Sequence, residues 1–266
     1  AATTNNLDTD SDGTARTVTL TGTMTQGKTY TLDGDITLVS TAAKLTNKTI
    51  GGSGDVDITD GGDTLGATLG GITSTTSSYT GTDDTTITGT LPAGGTCTIK
   101  NSLILGNSIL NSSATYLIIS GKTLTGTAAR LDGHTTSGDG TTEITGLDSN
   151  GAAFAFGNIA SAIATLAVSG DVTFTGSLPA GASPSVTVAA TKTLTLTAAL
   201  ANGKTINGDG GIVVITAGHS TTGAVLAGIT TTTASMKFGG DVELSGSLPA
   251  ATTNNLDTDS DGTART

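Results

Sequence analysis

Residues 1–17 read AATTNNLDTDSDGTART, and residues 250–266 carry the same seventeen letters in the same order. An identity of that length at an offset of 249 residues makes the chain one full period plus the opening of the next, and internal repetition takes precedence over any other reading of the fold. A copied terminal tag would also duplicate an end. The copied segment, however, runs smoothly out of Leu248-Pro249, as earlier phrases of the same kind run on from theirs. The period is therefore taken as 1–249, with 250–266 starting the next copy.

A weaker repeat lies inside the period. Asp84 to Gly94 (DTTITGTLPAG), Asp171 to Gly181 (DVTFTGSLPAG) and Asp241 to Ala251 (DVELSGSLPAA) are variants of one phrase, with prolines at Pro92, Pro179 and Pro249. Their unequal spacings, 87 and 70 residues, imply that whole coils have been gained or lost between three related sub-repeats, about 1–91, 92–178 and 179–249. A second shared phrase stands upstream of each: Asn47-Lys48-Thr49-Ile50, Gly121-Lys122-Thr123-Leu124 and Gly203-Lys204-Thr205-Ile206.

Composition selects strands. Threonine is the commonest residue, glycine contributes 39 positions, and only 12% of residues are charged, so the side chains that usually clothe an exposed helix are scarce. Branched Thr and Val, already restricted at χ1, suit a pleated surface. Runs such as Thr29-Tyr30-Thr31-Leu32 and Ile36-Thr37-Leu38-Val39 alternate with period two between Gly and Asp turns, and no stretch sustains a 3.6 period. Ala198 to Ala201 is too brief to read as a helix. The alternation places Leu20, Leu32, Ile36, Ile87, Leu124, Val172, Leu194, Ile206 and Val242 inside, with the intervening Thr outside or in ladders along the axis.

Two all-β architectures fit short strands and turns. Lys28 and Lys48 stand 20 residues apart, one turn of a solenoid with three strands per coil, and roughly twelve such coils would fill the period. Tandem β-sandwich domains are the alternative, but they draw on larger core residues than four Phe and three Tyr supply. The phrases LPAG, GKTLTG (Gly121 to Gly126) and NGKTINGDGGIVVI (Asn202 to Ile215) resemble the coils of right-handed parallel β-helix proteins, the pectate-lyase-like and filamentous-adhesin group. That resemblance implies a right-handed parallel solenoid and an extracellular or cell-surface setting, and no particular activity. Residues 1–17 and 250–266 are then expected to have superimposable backbones displaced along one axis.

The net charge is −11, and the second copy of the end segment accounts for −2 of it through Asp257, Asp259 and Asp261 against Arg265. An acidic chain whose eleven basic residues are scattered is unsuited to nucleic acid, which needs clustered Lys and Arg. No apolar run approaches a membrane span, and one cysteine, Cys97, excludes an intrachain disulfide framework; it reads as a small buried residue.

The best candidate site is Asp8-Thr9-Asp10-Ser11-Asp12-Gly13, repeated at Asp257, Asp259 and Asp261. Alternate carboxylates converge when such a loop curls, and Ca²⁺ takes six to eight hard oxygens. The twelfth position of the loop is Thr19 rather than the bidentate Glu of an EF-hand, so a solvated Asp-rich turn remains the other reading. Asp55, Asp57, Asp60, Asp63, Asp83, Asp84 and Asp148 read as turn formers, and His134 and His219 as solvated turn residues rather than a metal pair. With Glu143 and Glu243 the only glutamates, and with no nucleophile elbow, P-loop or dinucleotide fingerprint, no catalytic residues are assigned. The expectation is a structural repeat unit of an extracellular filament, fibre or adhesin stalk whose partner is itself. A Ca²⁺-dependent adhesin that holds cell-surface or matrix glycans is the alternative.

Overall fold

The structure, a computed structural model, describes residues 4–8, 14–60, 66–107, 109–148, 153–208, 210–217, 224–238 and 246–258. The chain is all-β, and all of its sheets are parallel, stacked as a solenoid of about 11 turns. It divides into two compact units. The first comprises Ala1–Gly126, Gly133–Thr142 and Asn158–Ile163, and the second Thr127–Asp132, Glu143–Gly157 and Ala164–Thr266.

In the first unit the longest sheet runs through Arg16–Thr19, Ile36–Thr41, Asp55–Thr59, Thr76–Tyr79, Thr96–Ile99, Thr115–Ile118 and Thr135–Ser137. Thr76 pairs with Thr96, Thr96 with Thr115 and Thr115 with Thr135, so these coils are 19 or 20 residues, while the Thr37 to Asp55 step is 18 and the Thr136 to Ile159 step 23. A second sheet joins Thr4–Leu7, Thr29–Leu32 and Thr49–Gly52, and a third set joins Thr85–Ile87, Leu103–Leu105 and Thr123–Thr127. The Thr29 to Thr49 pairing fixes the 20-residue spacing that the lysines suggested. In the second unit, Val172–Thr173, Thr193–Thr197, Ile212–Ala217, Thr233–Phe238 and Thr253–Thr258 form one sheet, and Ser183–Val188 pairs with Thr205–Asn207.

Because parallel coils stack nearly in register, like positions form columns. One inward column is Leu38, Val56, Ser77, Cys97, Tyr116 and Thr136, and the next is Ser40, Ile58, Tyr79, Ile99 and Ile118, all buried. In the second unit Leu194, Val213 and Ala234 form one column and Leu196, Ile215 and Met236 another. Three of the four phenylalanines stack together, Phe156 lying parallel to Phe174 at 6.3 Å and edge-on to Phe154 at 6.0 Å. Of the residues expected inside, Leu32, Ile36, Ile87, Leu124, Val172, Leu194 and Ile206 are buried, Leu20 is half-buried, and Val242 lies outside the described residues.

One segment of about 50 residues occurs three times with the same bonds. Each copy opens with a strand that runs through Thr-Ala-Ala into a four-residue helix: Ala42–Leu45, Ala128–Leu131 and Ala198–Ala201. The sequence reading missed these helices because one turn shows no periodicity. They form at a corner where two small or apolar side chains per helix face the interior. Asn47, Gly133 and Gly203 follow, all left-handed (φ 58°, 69° and 66°), which ends the helix. The lysine phrase is corrected by this equivalence. Asn47-Lys48 and Gly203-Lys204 correspond to Gly133-His134, whereas Gly121-Lys122 precedes its helix and corresponds to Thr191-Lys192.

Side chains then bind each copy to the coil above. The residue after the helix, Thr46, Asp132 or Asn202, accepts from the backbone N–H of Thr68, Ala155 or Val225 at 2.7–2.8 Å. Thr90, Ser177 and Ser247 accept from the N–H of Gly70, Gly157 and Ala227 at 2.9–3.3 Å. The buried hydroxyls of Ser74, Ser161 and Thr231 each donate to the carbonyl two residues on. Gly89, Gly176 and Gly246, the glycine of the Leu-Pro-Ala phrase, have no room for a Cβ: it would lie 1.8–1.9 Å from a carbonyl oxygen of the neighbouring coil.

Two outcomes are expected in urea denaturation. Leu196→Ala empties a fully packed column and costs about 2–5 kcal/mol, while Thr195→Ala on the outward side of the same strand changes stability by no more than about 0.5 kcal/mol. Gly203→Asn is tolerated within about 0.5 kcal/mol, because Asn47 already holds the equivalent conformation and a Cβ there meets nothing, whereas Gly176→Ala costs upwards of about 2 kcal/mol.

Candidate functional site

The polar chemistry of the described residues gathers on the outer side of the longest sheet. The outward rows are Thr37, Asp55, Thr76, Thr96, Thr115 and Thr135, and beside them Val39, Asp57, Ser78, Thr98, Leu117 and Ser137. A shallow groove of about 270 Å³ opens over the middle of these rows, with Asp55, Asp57 and Lys100 as its charged groups. Thr76 donates its hydroxyl to Asp55 and Ser78 donates to Asp57, in each case across one coil boundary. Lys100 Nζ reaches Asp57 Oδ1 at 3.2 Å. Asp55 and Asp57 are thus strand residues rather than the turn formers expected from sequence: neighbouring coils supply hydroxyls that hold the carboxylates on the sheet face.

A second cluster ties three successive coils. Asp83 accepts from Lys122 Nζ at 2.8 and 3.1 Å, from the Ser102 backbone N–H at 2.8 Å and from Asn101 Nδ2 at 3.2 Å, while Asn101 Oδ1 accepts from the Gly81 N–H at 3.1 Å. The lysine, then the Ser102 N–H and the Asn101 amide, hold the Asp83 carboxyl well below the ordinary carboxylate range, at about 2. The Asp83 side chain is 48% exposed, so solvent screens the pair and the arrangement orders the loop more than it stabilises the fold. Asp84 beside it and Asp60 adopt left-handed conformations (φ 59° and 53°), the turn role read from sequence.

The other sequence candidates fall as follows. Asp8 is exposed at the end of the strand Thr4–Leu7, and Asp257 lies in the strand Thr253–Thr258 with its backbone paired to Lys237. Asp10, Asp12, Asp259, Asp261 and His219 lie outside the described residues, as does most of the proposed Ca²⁺ loop. Among the described residues no three His, Cys, Asp or Glu side chains group as metal ligands. His134 is half-buried after the second helix. Cys97 is fully buried in the Thr96–Ile99 strand, and burial pushes its thiol up to about 12, which leaves it a packing residue. Tyr116, next in the same column, is buried with its hydroxyl satisfied: it accepts from Asn111 N–H at 2.8 Å and donates to Pro92 O at 3.1 Å.

The site chemistry is therefore a ladder of hydroxyls and carboxylates, in which Thr76 and Ser78 bind Asp55 and Asp57 across a coil boundary. Sequence reasoning missed the Asp83–Asn101–Lys122 cluster, whose members stand 18 to 39 residues apart. Spacings close to one and two coils were the signal that could have found it. The fold and the surface together define a Thr-rich parallel β-solenoid. No family model, curated protein or solved structure matches the chain.

The Asp83 cluster gives a pH prediction. A carboxylate with a depressed pKa contributes its full stabilisation above the ordinary range near 4 and loses it as pH falls through about 2. NMR titration should place the Asp83 midpoint near 2, and Lys122→Ala should return it toward the ordinary range, with a smaller displacement in high salt. An unchanged midpoint in the Lys122 variant would show that the ammonium is not the cause.

Proposed function

We propose that this chain is a structural repeat unit of an extracellular filament, fibre or adhesin stalk, and that it adds length by adding solenoid turns. The observation that carries this reading is the behaviour of the duplicated end segment. In the first copy, Thr4–Leu7 pairs in parallel with Thr29–Leu32, the coil that follows it. In the second copy, the same letters lie in Thr253–Thr258 and pair with Thr233–Phe238, the coil that precedes it. One strand thus has its following neighbour in one copy and its preceding neighbour in the other, the arrangement needed for a ladder that passes through a period boundary without interruption.

The chemistry agrees with a rod. Side chains such as Thr46, Asp132, Asn202, Thr76 and Ser78 bond from one coil to the next, and the interior is built of columns that run through successive coils. A chain of two periods, residues 1–249 followed by 1–266, tests this by small-angle scattering. The longest dimension should grow by on the order of 50 Å over the single period, from about 11 turns at one strand spacing each. Growth in cross-section without growth in length would sink the reading.

A further inference from the structure

The sequence carries two Asn-x-Ser/Thr triplets, Asn47-Lys48-Thr49 and Asn111-Ser112-Ser113. Such a triplet is the acceptor for N-linked glycans in secreted chains, provided that it lies in an accessible loop. The structure separates the two. Asn47 is left-handed at the end of the first short helix, and its backbone N–H donates to the Thr68 carbonyl at 2.8 Å. Thr49 opens the strand Thr49–Gly52, which pairs with Thr29–Leu32 on one side, and the next residue, Ile50, bridges to Ile72 on the other. That triplet is held in the ladder from both neighbouring coils. Asn111-Ser112-Ser113 lies instead in the turn before the strand Thr115–Ile118, with Ser112 and Ser113 exposed and Asn111 half-buried. Its backbone bonds are local: Asn111 N–H donates to Tyr116 Oη, Ser113 N–H to Asn111 Oδ1, and Ala114 N–H to the Asn111 carbonyl. Among the described residues, no peptide group of this triplet bonds to the backbone of a neighbouring coil.

We infer that Asn111 is an attachment site for an N-linked glycan, and that Asn47 is closed to the same reaction once the chain has folded. The inference goes beyond the rod and rests only on the extracellular setting of the reading above. The donor is an oligosaccharide carried on a polyprenyl pyrophosphate. Asn111 Nδ2 attacks the anomeric carbon, so that an N–C bond forms while the bond from that carbon to the pyrophosphate oxygen breaks. The polyprenyl pyrophosphate leaves with the electron pair, and Nδ2 gives up one proton. A carboxamide nitrogen is a weak nucleophile because its lone pair is delocalised into the carbonyl, so the orientation of the group matters. Here Oδ1 is fixed by two donors of the same triplet, the Ser113 N–H at 3.0 Å and the Ser113 hydroxyl at 2.6 Å. The hydroxyl also lies 3.0 Å from the Ala93 carbonyl, which ties the turn to the coil before it. Nδ2 is left as the end of the carboxamide with no hydrogen bond among the described residues.

Incubation of the folded 266-residue chain with a purified single-subunit oligosaccharyltransferase and lipid-linked oligosaccharide tests this. Peptides spanning 43–53 and 107–117 serve as unfolded references. Occupied sites are read by mass spectrometry after peptide N-glycosidase treatment in water enriched in heavy oxygen, which leaves a labelled Asp wherever a glycan stood. Both peptides should accept the glycan. The folded chain should accept it at Asn111 faster than at Asn47 by about tenfold or more, since the Asn47 segment has to open before it can react. Asn111→Gln should remove the modification and Ser113→Thr should keep it, with circular dichroism showing that both variants are folded. Equal occupancy of Asn47 and Asn111 in the folded chain would show that the ladder gives no protection and overturn the inference. So would a folded chain that stays unmodified at Asn111 while the 107–117 peptide reacts, or a 107–117 peptide that never reacts. None of these outcomes alters the length of a two-period chain, so the rod reading stands or falls by its own measurement.

Discussion

Everything in this molecule depends on one distance, the strand spacing of about 4.8 Å that parallel backbone pairing imposes between successive coils. Each inward residue has as its nearest neighbours the residues one coil before and one coil after, so packing is solved column by column. A column accepts Val, Ile, Leu, Ala and Met in exchange, and it also takes Ser, Cys, Thr and Tyr; Ser40 and Ser77 stand in theirs with buried hydroxyls that have no hydrogen-bond partner. It does not tolerate a change in height. Where the chain passes close to the neighbouring coil, as at Gly89, Gly176 and Gly246, even one carbon is too many.

The three equivalent segments show what that constraint leaves free. At the position after each short helix stand Thr46, Asp132 and Asn202, three different side chains with an oxygen at a similar reach, and each accepts one backbone N–H from the next coil. The loop at each Leu-Pro-Ala phrase is held at its proline carbonyl by Tyr116, Lys204 or Asn254. Only a donor is required. Divergence among the sub-repeats has thus preserved bonds while changing the residues that make them, which explains how a fold this regular comes from phrases this loosely alike.

Much of this was legible in the letters. Period-two alternation located the inward residues of most strands, and the 20-residue step from Lys28 to Lys48 gave the coil length. The failures have a common cause. A helix of one turn has no period to detect, so Ala198 to Ala201 was passed over although Thr-Ala-Ala occurs at the same place three times. Gly121-Lys122 was aligned with Gly203-Lys204 because the letters agree, whereas the structural counterpart of Gly203 is Gly133, which shares its left-handed backbone and not its neighbour. Asp55 and Asp57 were read as turn residues because aspartate is rare in strands. What holds them there, Thr76 and Ser78, lies 21 residues away, and no local rule reaches that far.

The direction of the backbone bonds has a mechanical consequence. In a parallel solenoid they lie along the stacking direction, so tension on the two ends of a stack pulls each bond nearly along its own length. Coils would then peel from an end singly rather than shear together. Each of about 20 residues, a released coil would pay out on the order of 70 Å of chain while its neighbours stay folded. Under load such a stack yields in small steps, lengthening at a nearly constant force, and it rewinds from the remaining coils when the load is removed.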